Sequence, residues 1–278
     1  ERLFRETQKD VSLRVERLDS AEEWTGSGRG ELHLGILIEN MRREGYEFQV
    51  SRPRVIMKEI DGVMCEPYEY CVIDVPTESA GSVIEMMGNR HGNMETMTNT
   101  ETQTRLIYNI PSRGLIGFNT DFMTITKGYG IINHSFLDYR PVESVSVGER
   151  NTTVLVSMAE GTSTAYSIGA LEDRGVMFIA PGEDIYEGMI VGEGNREIDL
   201  TVNVVKAKPQ TNTRSSNKDT TVVLKQPRVL TLENCLEFIN EDELVEVTPK
   251  HIRLRKKILD TVERKKFDAK MRAEKEGK

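Results

Sequence analysis

The sequence predicts an α+β protein with two ferredoxin-like βαββαβ domains, the first lacking its opening strand, and a β-rich C-terminal domain with a short helix and a basic tail. Two observations support this fold class. Apolar patterns with periods of 2 and 3.6 residues follow one another in the same order twice in the first half of the chain. From about residue 145, short runs of β-forming residues alternate with glycine-rich turns. The expected domains are residues 1–57, 58–144 and 145–278.

The first block is predicted to contain a helix, two strands, a second helix and a third strand. Residues 11–17 alternate apolar and polar side chains, as a half-buried strand does. The second helix is indicated by an apolar stripe at i, i+3, i+4 and i+7, formed by Leu34, Leu37, Ile38 and Met41. Gly45 is suited to end this helix, and residues 46–50 alternate again. The opening strand is expected upstream of Glu1, so we interpret the chain as a fragment.

The second block is predicted to contain all six elements of the split βαβ fold. In order, they are a strand at 70–75, a helix carrying Ala80, Val83, Ile84 and Met87, a hairpin at 92–97 and 105–110, a helix carrying Leu115, Phe118, Phe122 and Ile125, and a strand at 131–139. Gly88 and Gly128 are placed to end the two helices.

The third block is predicted to be an antiparallel sheet or barrel. Its expected strands are 153–158, 164–168, 176–179, 189–191, 200–205, 221–224 and 244–247, with one helix at 232–239. Between them, residues 206–219 form a polar, basic segment without periodicity and with a single acid. Loops of this length inside a compact domain are usually functional or disordered.

The charge of the chain is divided unevenly. The 278 residues carry a net charge of −8. Residues 250–278 hold twelve Lys and Arg and five Asp and Glu, a local net charge of +7, which leaves −15 for residues 1–249. A basic tail on an acidic body is typical of a nucleic-acid contact. A solvated helix end is the alternative interpretation of the tail.

The motifs of catalysis and metal binding are missing from the sequence. It contains no G-x-x-x-x-G-K-[ST] phosphate loop and no G-x-S-x-G elbow, and its four histidines and three cysteines lack metal-ligand spacing. The glycines at 26–30 are interpreted as a tight turn into a helix rather than a nucleotide site. We expect no catalytic residue, metal or cofactor in this chain. No stretch approaches the roughly 20 apolar residues of a membrane span, and the cysteines fit a reducing cytoplasm.

Binding to RNA is the function that the basic segments favour. Lysine and arginine neutralise phosphates, and flexible basic loops often become ordered on RNA. We expect the contacts to come from ten residues: Lys206, Lys208, Asn212, Thr213, Arg214 and Lys218 in the loop, and Arg253, Arg255, Lys256 and Lys257 at the start of the tail. Aromatic residues are sparse there, which argues against a stacking platform. A disordered surface loop without a ligand is the alternative.

Three sets of segments resemble a known family. GRGELHL at 28–34, ENMRREG at 39–45 and SRP at 51–53 resemble domain III of elongation factor G and its relatives. IPSRGLIGF at 110–118 and TKGYG at 126–130 resemble domain V. Within the first of these, the residues SRGLIGF are similar to the BipA/TypA family in particular. DRG at 173–175, YEGMIVG at 186–192 and DELVEVTP at 242–249 are similar to the C-terminal domain specific to that family.

The resemblance implies a ribosome-associated translational GTPase whose GTPase domain, with its GTP and magnesium, is not in this chain. It implies docking in the ribosomal factor site, contacts with large-subunit rRNA and A-site tRNA, and a role in large-subunit assembly and in cold or stress adaptation. The loop at 206–218 is expected to reach toward the peptidyl-transferase centre. A cytoplasmic monomer that does not bind membranes is expected. A ferredoxin-like module that senses a small molecule or mediates assembly without binding RNA is the alternative.

Overall fold

The computed structural model of the chain describes residues 1–18, 22–143, 150, 152–208 and 223–276. It divides into two compact units, one formed by Glu1–Arg52 together with Arg150–Lys278 and the other by Pro53–Glu149. The division into domains at 57/58 and 144/145 stays a prediction. The structure adds that the first and third blocks share one unit.

The first block contains the predicted order of elements. They are α1 (Arg2–Thr7), β1 (Arg14–Arg17), β2 (Trp24–Ser27), α2 (Glu31–Arg43) and β3 (Phe48–Ser51). β1 and β2 form an antiparallel pair. Gly45, with a φ of 94°, follows α2 in the left-handed conformation that ends many helices.

The GRGELHL segment forms the turn that leads into α2. His33 Nδ1 accepts a hydrogen bond from the backbone N–H of Arg29 at 3.1 Å, and its Nε2 lies 2.7 Å from Asp10 Oδ2. A Cβ at position 28 would lie 2.7 Å from the same imidazole, so Gly28 lets the ring approach the backbone. His33 therefore fixes this turn.

The second unit is a ferredoxin-like domain. Its elements are β4 (Lys58–Ile60), β5 (Val63–Pro76), α3 (Ala80–Asn89), β6 (Asn93–Asn99), β7 (Gln103–Pro111), α4 (Ser112–Leu115), α5 (Phe118–Ile125) and β8 (Ile131–Pro141), with a 3-10 turn at Thr77–Ser79. The four long strands lie in the order β8-β5-β7-β6, all antiparallel, and β4 pairs with the start of β5. The alternating residues Cys71, Ile73 and Val75 of β5 join Phe118 and Phe122 in the core, as a strand with one face covered by helices requires.

The SRGLIGF segment connects β7 to α5 and contains α4. Arg113 donates two hydrogen bonds, of 2.6 and 3.0 Å, to the carboxylate of Glu66, which is 1% exposed. Arg90 donates to the carbonyl oxygens of Gly114 and Ile116 at 2.9 and 2.8 Å. A Cβ on Gly114 would lie 2.6 Å from the carbonyl oxygen of Arg90. The segment thus has a structural role, in which two partly buried arginines satisfy carbonyl and carboxylate oxygens.

A histidine–carboxylate pair links β8 to β5. His134 Nδ1 contacts a carboxylate oxygen of Glu69. The hydrogen bond to Glu69 raises the pKa of His134 above its ordinary value of 6.5. Burial raises the pKa of Glu69, but the hydrogen bonds with His134 and Ser112 and the charge of His134 together outweigh it, and the pKa falls below 4.5. Both shifts favour the charged pair.

The third block contains a mixed sheet with helices. Its elements are β9 (Thr153–Ser157), β10 (Gly161–Thr162), α6 (Ala165–Gly169), β11 (Gly175–Met177), β12 (Asp184–Ile185), β13 (Met189–Gly194), β14 (Leu200–Val202), α7 (Leu232–Phe238), β15 (Glu243–Val247), β16 (Ile252–Lys256) and α8 (Thr261–Glu276), with a 3-10 turn at Glu172–Arg174. Seven strands form one sheet in the order β14-β9-β13-β16-β15-β3, with β11 also paired to β13. The α+β fold class is confirmed.

Three local predictions in this block were wrong in part. Residues 164–168 form a helix start instead of a strand, because the Thr164 hydroxyl caps α6 by accepting a hydrogen bond from Ser167 N at 3.2 Å. Of the strand expected at 221–224, residues 223 and 224 have no strand pairing and the other two lie outside the described residues. The segment 251–257, expected to open a tail, contains the sheet strand β16.

Strand β3 of the first block completes the sheet of the third block. It pairs with β15 from Phe48↔Val247 to Ser51↔Leu244. Ile38 of α2 lies in the apolar core formed by the third block. These contacts are long-range in sequence and include the backbone ladder, so the two blocks form a single folding unit.

We predict that Ile38→Ala lowers the free energy of unfolding of the first unit by about 2–5 kcal/mol, because it leaves a cavity in a shared core. Hydrogen exchange in β15 and α7 should accelerate, as followed by mass spectrometry. Ile36→Ala is the matched control, since Ile36 lies on the same helix with 52% of its surface exposed. Unchanged exchange in β15 for Ile38→Ala would show that the two blocks fold independently.

We also predict that the second unit loses stability as pH rises through the raised pKa of His134. A histidine with a raised pKa stabilises the folded state below 6.5, and a glutamate with a lowered pKa does so above 4.5, so the pair contributes most between these values. Chemical denaturation at pH values from below 6.5 to above the raised pKa of His134 should show the loss, and His134→Asn should flatten it. His91→Asn, which suits the left-handed backbone at that residue, should leave the dependence unchanged.

Candidate nucleic-acid interface

Two basic segments follow strands of the large sheet that end on the same side of it. β14 runs parallel to β9, with Val202 beside Ser157. Gly188 N donates to Ser157 O, and Lys256 N donates to Gly188 O, both at 2.9 Å. Val202 and Lys256 therefore end two strands of equal direction in one row, about three strand spacings or 14 Å apart. We call residues 203–208 and 257–266, which follow these strands, the loop edge.

The base of the long loop is fixed on both sides. The carbonyl oxygen of Lys206 accepts hydrogen bonds from the hydroxyls of Thr164 and Ser167, at 2.7 and 2.6 Å. On the returning side, Arg228 N donates to Met177 O at 2.8 Å. The hydrogen bonds hold only backbone oxygens and nitrogens of the loop base, so they leave the side chain of Lys206 exposed to solvent.

The ten predicted RNA-binding residues have different positions. Lys206, Lys208 and Lys257 are exposed at the loop edge. Arg253 and Arg255 are partly exposed and lie on the face of β16 opposite Leu254 and Lys256. The four remaining loop residues lie outside the described residues: Asn212, Thr213, Arg214 and Lys218.

Lys256 is buried and carries a structural charge. Its side chain is 4% exposed, and its ammonium lies 2.6 Å from Asp242, 2.7 Å from Asp199 and 3.0 Å from Glu243. Burial lowers the pKa of Lys256, but the three carboxylates raise it well above its ordinary value. Lys256 is therefore committed to the interior, and we leave it out of the RNA-contacting set. The alternation of apolar and basic residues at 252–256 is the sequence pattern from which strand β16 could have been predicted.

The buried end of this network is the carboxylate of Glu243. Arg150 donates to both of its oxygens at 2.9 Å. The guanidinium of Arg150 also lies 4.2 Å from the ring centroid of Phe238. Burial raises the pKa of Glu243, while the hydrogen bonds from Arg150 and the charge of Lys256 outweigh it and lower the pKa. Glu243 is thus held as an anion.

The same carboxylates have the spacing of a metal site. Oxygens of Asp199, Asp242 and Glu243 lie within 4.8 Å of one another, the one such group among the described residues. The Lys256 ammonium lies among these oxygens and offsets part of their negative charge, and Arg150 offsets a further part at Glu243. The arrangement is that of an internal ion network, in which the cation is supplied by the protein itself.

Helix α8 begins at the loop edge with a fixed first turn. Asp260 Oδ1 accepts hydrogen bonds from Val262 N and Glu263 N, both at 2.8 Å. Arg264 is buried and donates to the carbonyl oxygens of Ile258 and Leu259. Lys265 and Lys266 follow with exposed side chains. Sequence reasoning missed them as site residues, although Asp260 is a typical helix N-cap in front of them.

Two acidic residues outside the loop edge, Glu187 and Glu183, accept hydrogen bonds from nearby backbone N–H groups. Glu187 is used locally, since its carboxylate accepts a hydrogen bond from Thr261 N at 2.8 Å. Glu183 accepts one from Ala180 N at 2.7 Å. The positive charge that a polyanion could meet is therefore concentrated on the loop base and the start of α8.

Cysteine chemistry is suppressed by burial. Cys65, Cys71 and Cys235 are all free and buried. Burial raises the pKa of Cys71 and of Cys235 to about 12, so their thiols stay protonated and unreactive. Within the part of the chain that the structure describes, no helix has both the length and the apolar character to cross a membrane.

We predict that Lys256→Met destabilises the first unit by about 3–5 kcal/mol, because it removes one of the two cations that compensate the buried carboxylate of Glu243. Urea denaturation measures the change. Lys257→Met is the control, since the neighbouring side chain is exposed and should alter stability little. Equal stabilities of the two variants would contradict the structural role of Lys256.

Two family models match parts of the chain. Residues 152–261 match the family model of the TypA/BipA C-terminal domain. Residues 63–150 match that of the elongation factor G C-terminus. The two matches meet at the junction between the second unit and β9.

Three curated relatives carry the name large ribosomal subunit assembly factor BipA. The relative from Bacillus subtilis (strain 168) is 59% identical over 267 residues, which cover 96% of this chain and 44% of the relative. That from Synechocystis sp. is 53% identical, with 92% and 43% covered, and that from Escherichia coli (strain K12) is 48% identical, with 96% and 44% covered. The chain spans less than half the length of these relatives. It belongs to the TypA/BipA family.

Proposed function

We propose that this chain is the ribosome-binding region of a translational GTPase that acts in assembly of the large ribosomal subunit. The observation that carries the proposal is the common edge of the sheet from which both basic segments emerge, although they lie some 50 residues apart in sequence. The names of the relatives, which describe assembly factors of the large subunit, support it.

The mode of binding that we propose is contact with the phosphate backbone of RNA. Lys206, Lys208, Lys257, Lys265 and Lys266 are exposed lysines, which act as mobile point charges. Lysines of this kind neutralise phosphates without reading the bases. Arg214 and Lys218, which lie outside the described residues, are assigned to the same contact.

The finer features of the function are proposals that rest on the family. We assign to the protein docking in the ribosomal factor site, contacts of the loop with large-subunit rRNA and A-site tRNA, a role under cold or other stress, a cytoplasmic location and a monomeric state. The 278 residues contain no phosphate loop. We therefore assign GTP and magnesium binding to the part of the longer relatives that this chain does not span.

We predict that neutralising four basic loop residues in the full-length protein weakens binding to the large ribosomal subunit. The variant is Lys206→Gln, Lys208→Gln, Arg214→Gln and Lys218→Gln. The slope of log K against log salt should become shallower by up to about three units, because fewer counterions are released per complex. Sedimentation with purified large subunits at several salt concentrations measures both effects.

The control replaces exposed lysines that are not part of the loop edge, with Lys9→Gln and Lys127→Gln. It should bind as the unchanged protein does. Equal affinity and equal salt slope for both variants would exclude the loop from the RNA contact. A ligand-dependent thermal shift without affinity for ribosomes would instead favour a small-molecule-sensing module.

A further inference from the structure

The second unit contains a cleft that shares no residue with the loop edge. Its volume is about 660 Å³. The lining consists of the end of α3, the turn that follows it, the start of β6, the core strand β5 and the end of β8: Tyr68, Gly88, His91, Gly92, Asn93, Arg140, Pro141, Val142 and Glu143. None of these residues has a part in the RNA contacts proposed above.

One side of the cleft is a guanidinium stacked on a tyrosine. The central carbon of Arg140 lies 4.7 Å from the ring centroid of Tyr68, whose residue is 8% exposed. Asp138 fixes this arginine by accepting a hydrogen bond from its Nε at 2.9 Å. The Arg140 side chain is 35% exposed, so its planar guanidinium can also contact a second planar group.

The opposite side of the cleft is a turn with little side-chain bulk. Gly92 N donates to Met87 O at 2.8 Å. A Cβ at Gly92 would lie only 3.0 Å from the same oxygen, so this position requires glycine. His91 adopts the left-handed conformation with a φ of 60°, which is uncommon outside glycine. The turn thereby leaves room for a flat ligand and presents the imidazole of His91 and the amide of Asn93 beside it.

The charge of the lining indicates that the ligand of the cleft is a base and not a phosphate group. Glu143 is exposed in the cleft, and its carbonyl oxygen is held by Arg113 Nη2 at 2.9 Å. A carboxylate repels phosphate but accepts hydrogen bonds from N–H groups. Guanine offers two such donors side by side on its Watson–Crick edge, and arginine planes commonly stack on unpaired RNA bases.

We propose that this cleft binds an unstacked guanine base of RNA, with Arg140 stacked on the base and Glu143 on its N–H edge. Asn93 supplies a further donor and acceptor at the base edge. The inference rests on the proposed function only for the source of the base, which would be ribosomal RNA. The cleft itself can be tested with free nucleotides.

The test is titration of the isotope-labelled chain with guanosine monophosphate, adenosine monophosphate and inorganic phosphate, followed by amide shifts in NMR spectra. Guanosine monophosphate should shift the amides of residues 91–93. Arg140→Ala and Arg140→Lys should both weaken this binding by about five-fold or more, because the lysine keeps the charge and loses the stacking plane. Glu143→Gln should remove the preference over adenosine monophosphate.

Arg105→Ala is the matched control, since Arg105 is also an arginine paired with an aspartate on this sheet but does not line the cleft. It should bind as the unchanged chain does. Absence of shifts at 91–93, equal shifts with inorganic phosphate, or equal affinity for the two nucleotides would overturn the assignment. Loss of the loop's role in ribosome binding, with the nucleotide shifts intact, would instead overturn the proposed function alone.

Discussion

The position of both basic segments depends on one ion network, which joins the buried side chains of Lys256 and Glu243 to the exposed carboxylates of Asp199 and Asp242. Asp199 precedes β14, Asp242 precedes β15, Glu243 is the first residue of β15, and Lys256 is the last residue of β16. The ammonium of Lys256 contacts all three carboxylates and so joins the ends of three strands. Taking the two buried charges out of water costs free energy, which the close contacts must offset. A network of this kind tolerates few alternative arrangements. It therefore fixes where the chain leaves β16 and enters α8, and holds the start of β14 in register with its neighbour.

A second constraint is the pairing of β3 with β15, which makes the first block part of the C-terminal unit. The ladder contributes hydrogen bonds, and α2 adds Ile38 to the core beside α7. Arg42 of α2 also donates to Pro249 O at 2.9 Å, in the turn between β15 and β16. The residue range that matches the TypA/BipA C-terminal domain thus describes a sequence family more closely than a folding unit.

Local periodicity was enough to predict most elements, because helices and strands with one buried face repeat their apolar residues at fixed spacings. The pattern at 80–87 predicted α3, and the hairpin expected at 92–97 and 105–110 is β6 and β7. Pairing between distant strands leaves no such signal. Neither the β3–β15 ladder nor the common edge of the two basic segments could be deduced from spacing. The helix α6 was missed because a single cap, Thr164, outweighed the β-forming residues that follow it.

Lys256 shows why charge patterns alone assign binding residues poorly. In a run of basic residues, strand geometry sends successive side chains to opposite faces. Arg255 thus stays at the surface, while the next residue enters the interior and meets acids that lie 13 to 57 positions away in sequence. The net charge of the segment is unchanged by this, but the charge available to a phosphate is smaller than the count of lysines and arginines indicates. The surface charge is restored by residues further along, Lys265 and Lys266, because α8 starts at the same edge with its first turn fixed by Asp260 and Arg264. The interface is therefore set by where the sheet ends its strands, and the composition of the tail only supplies the charge.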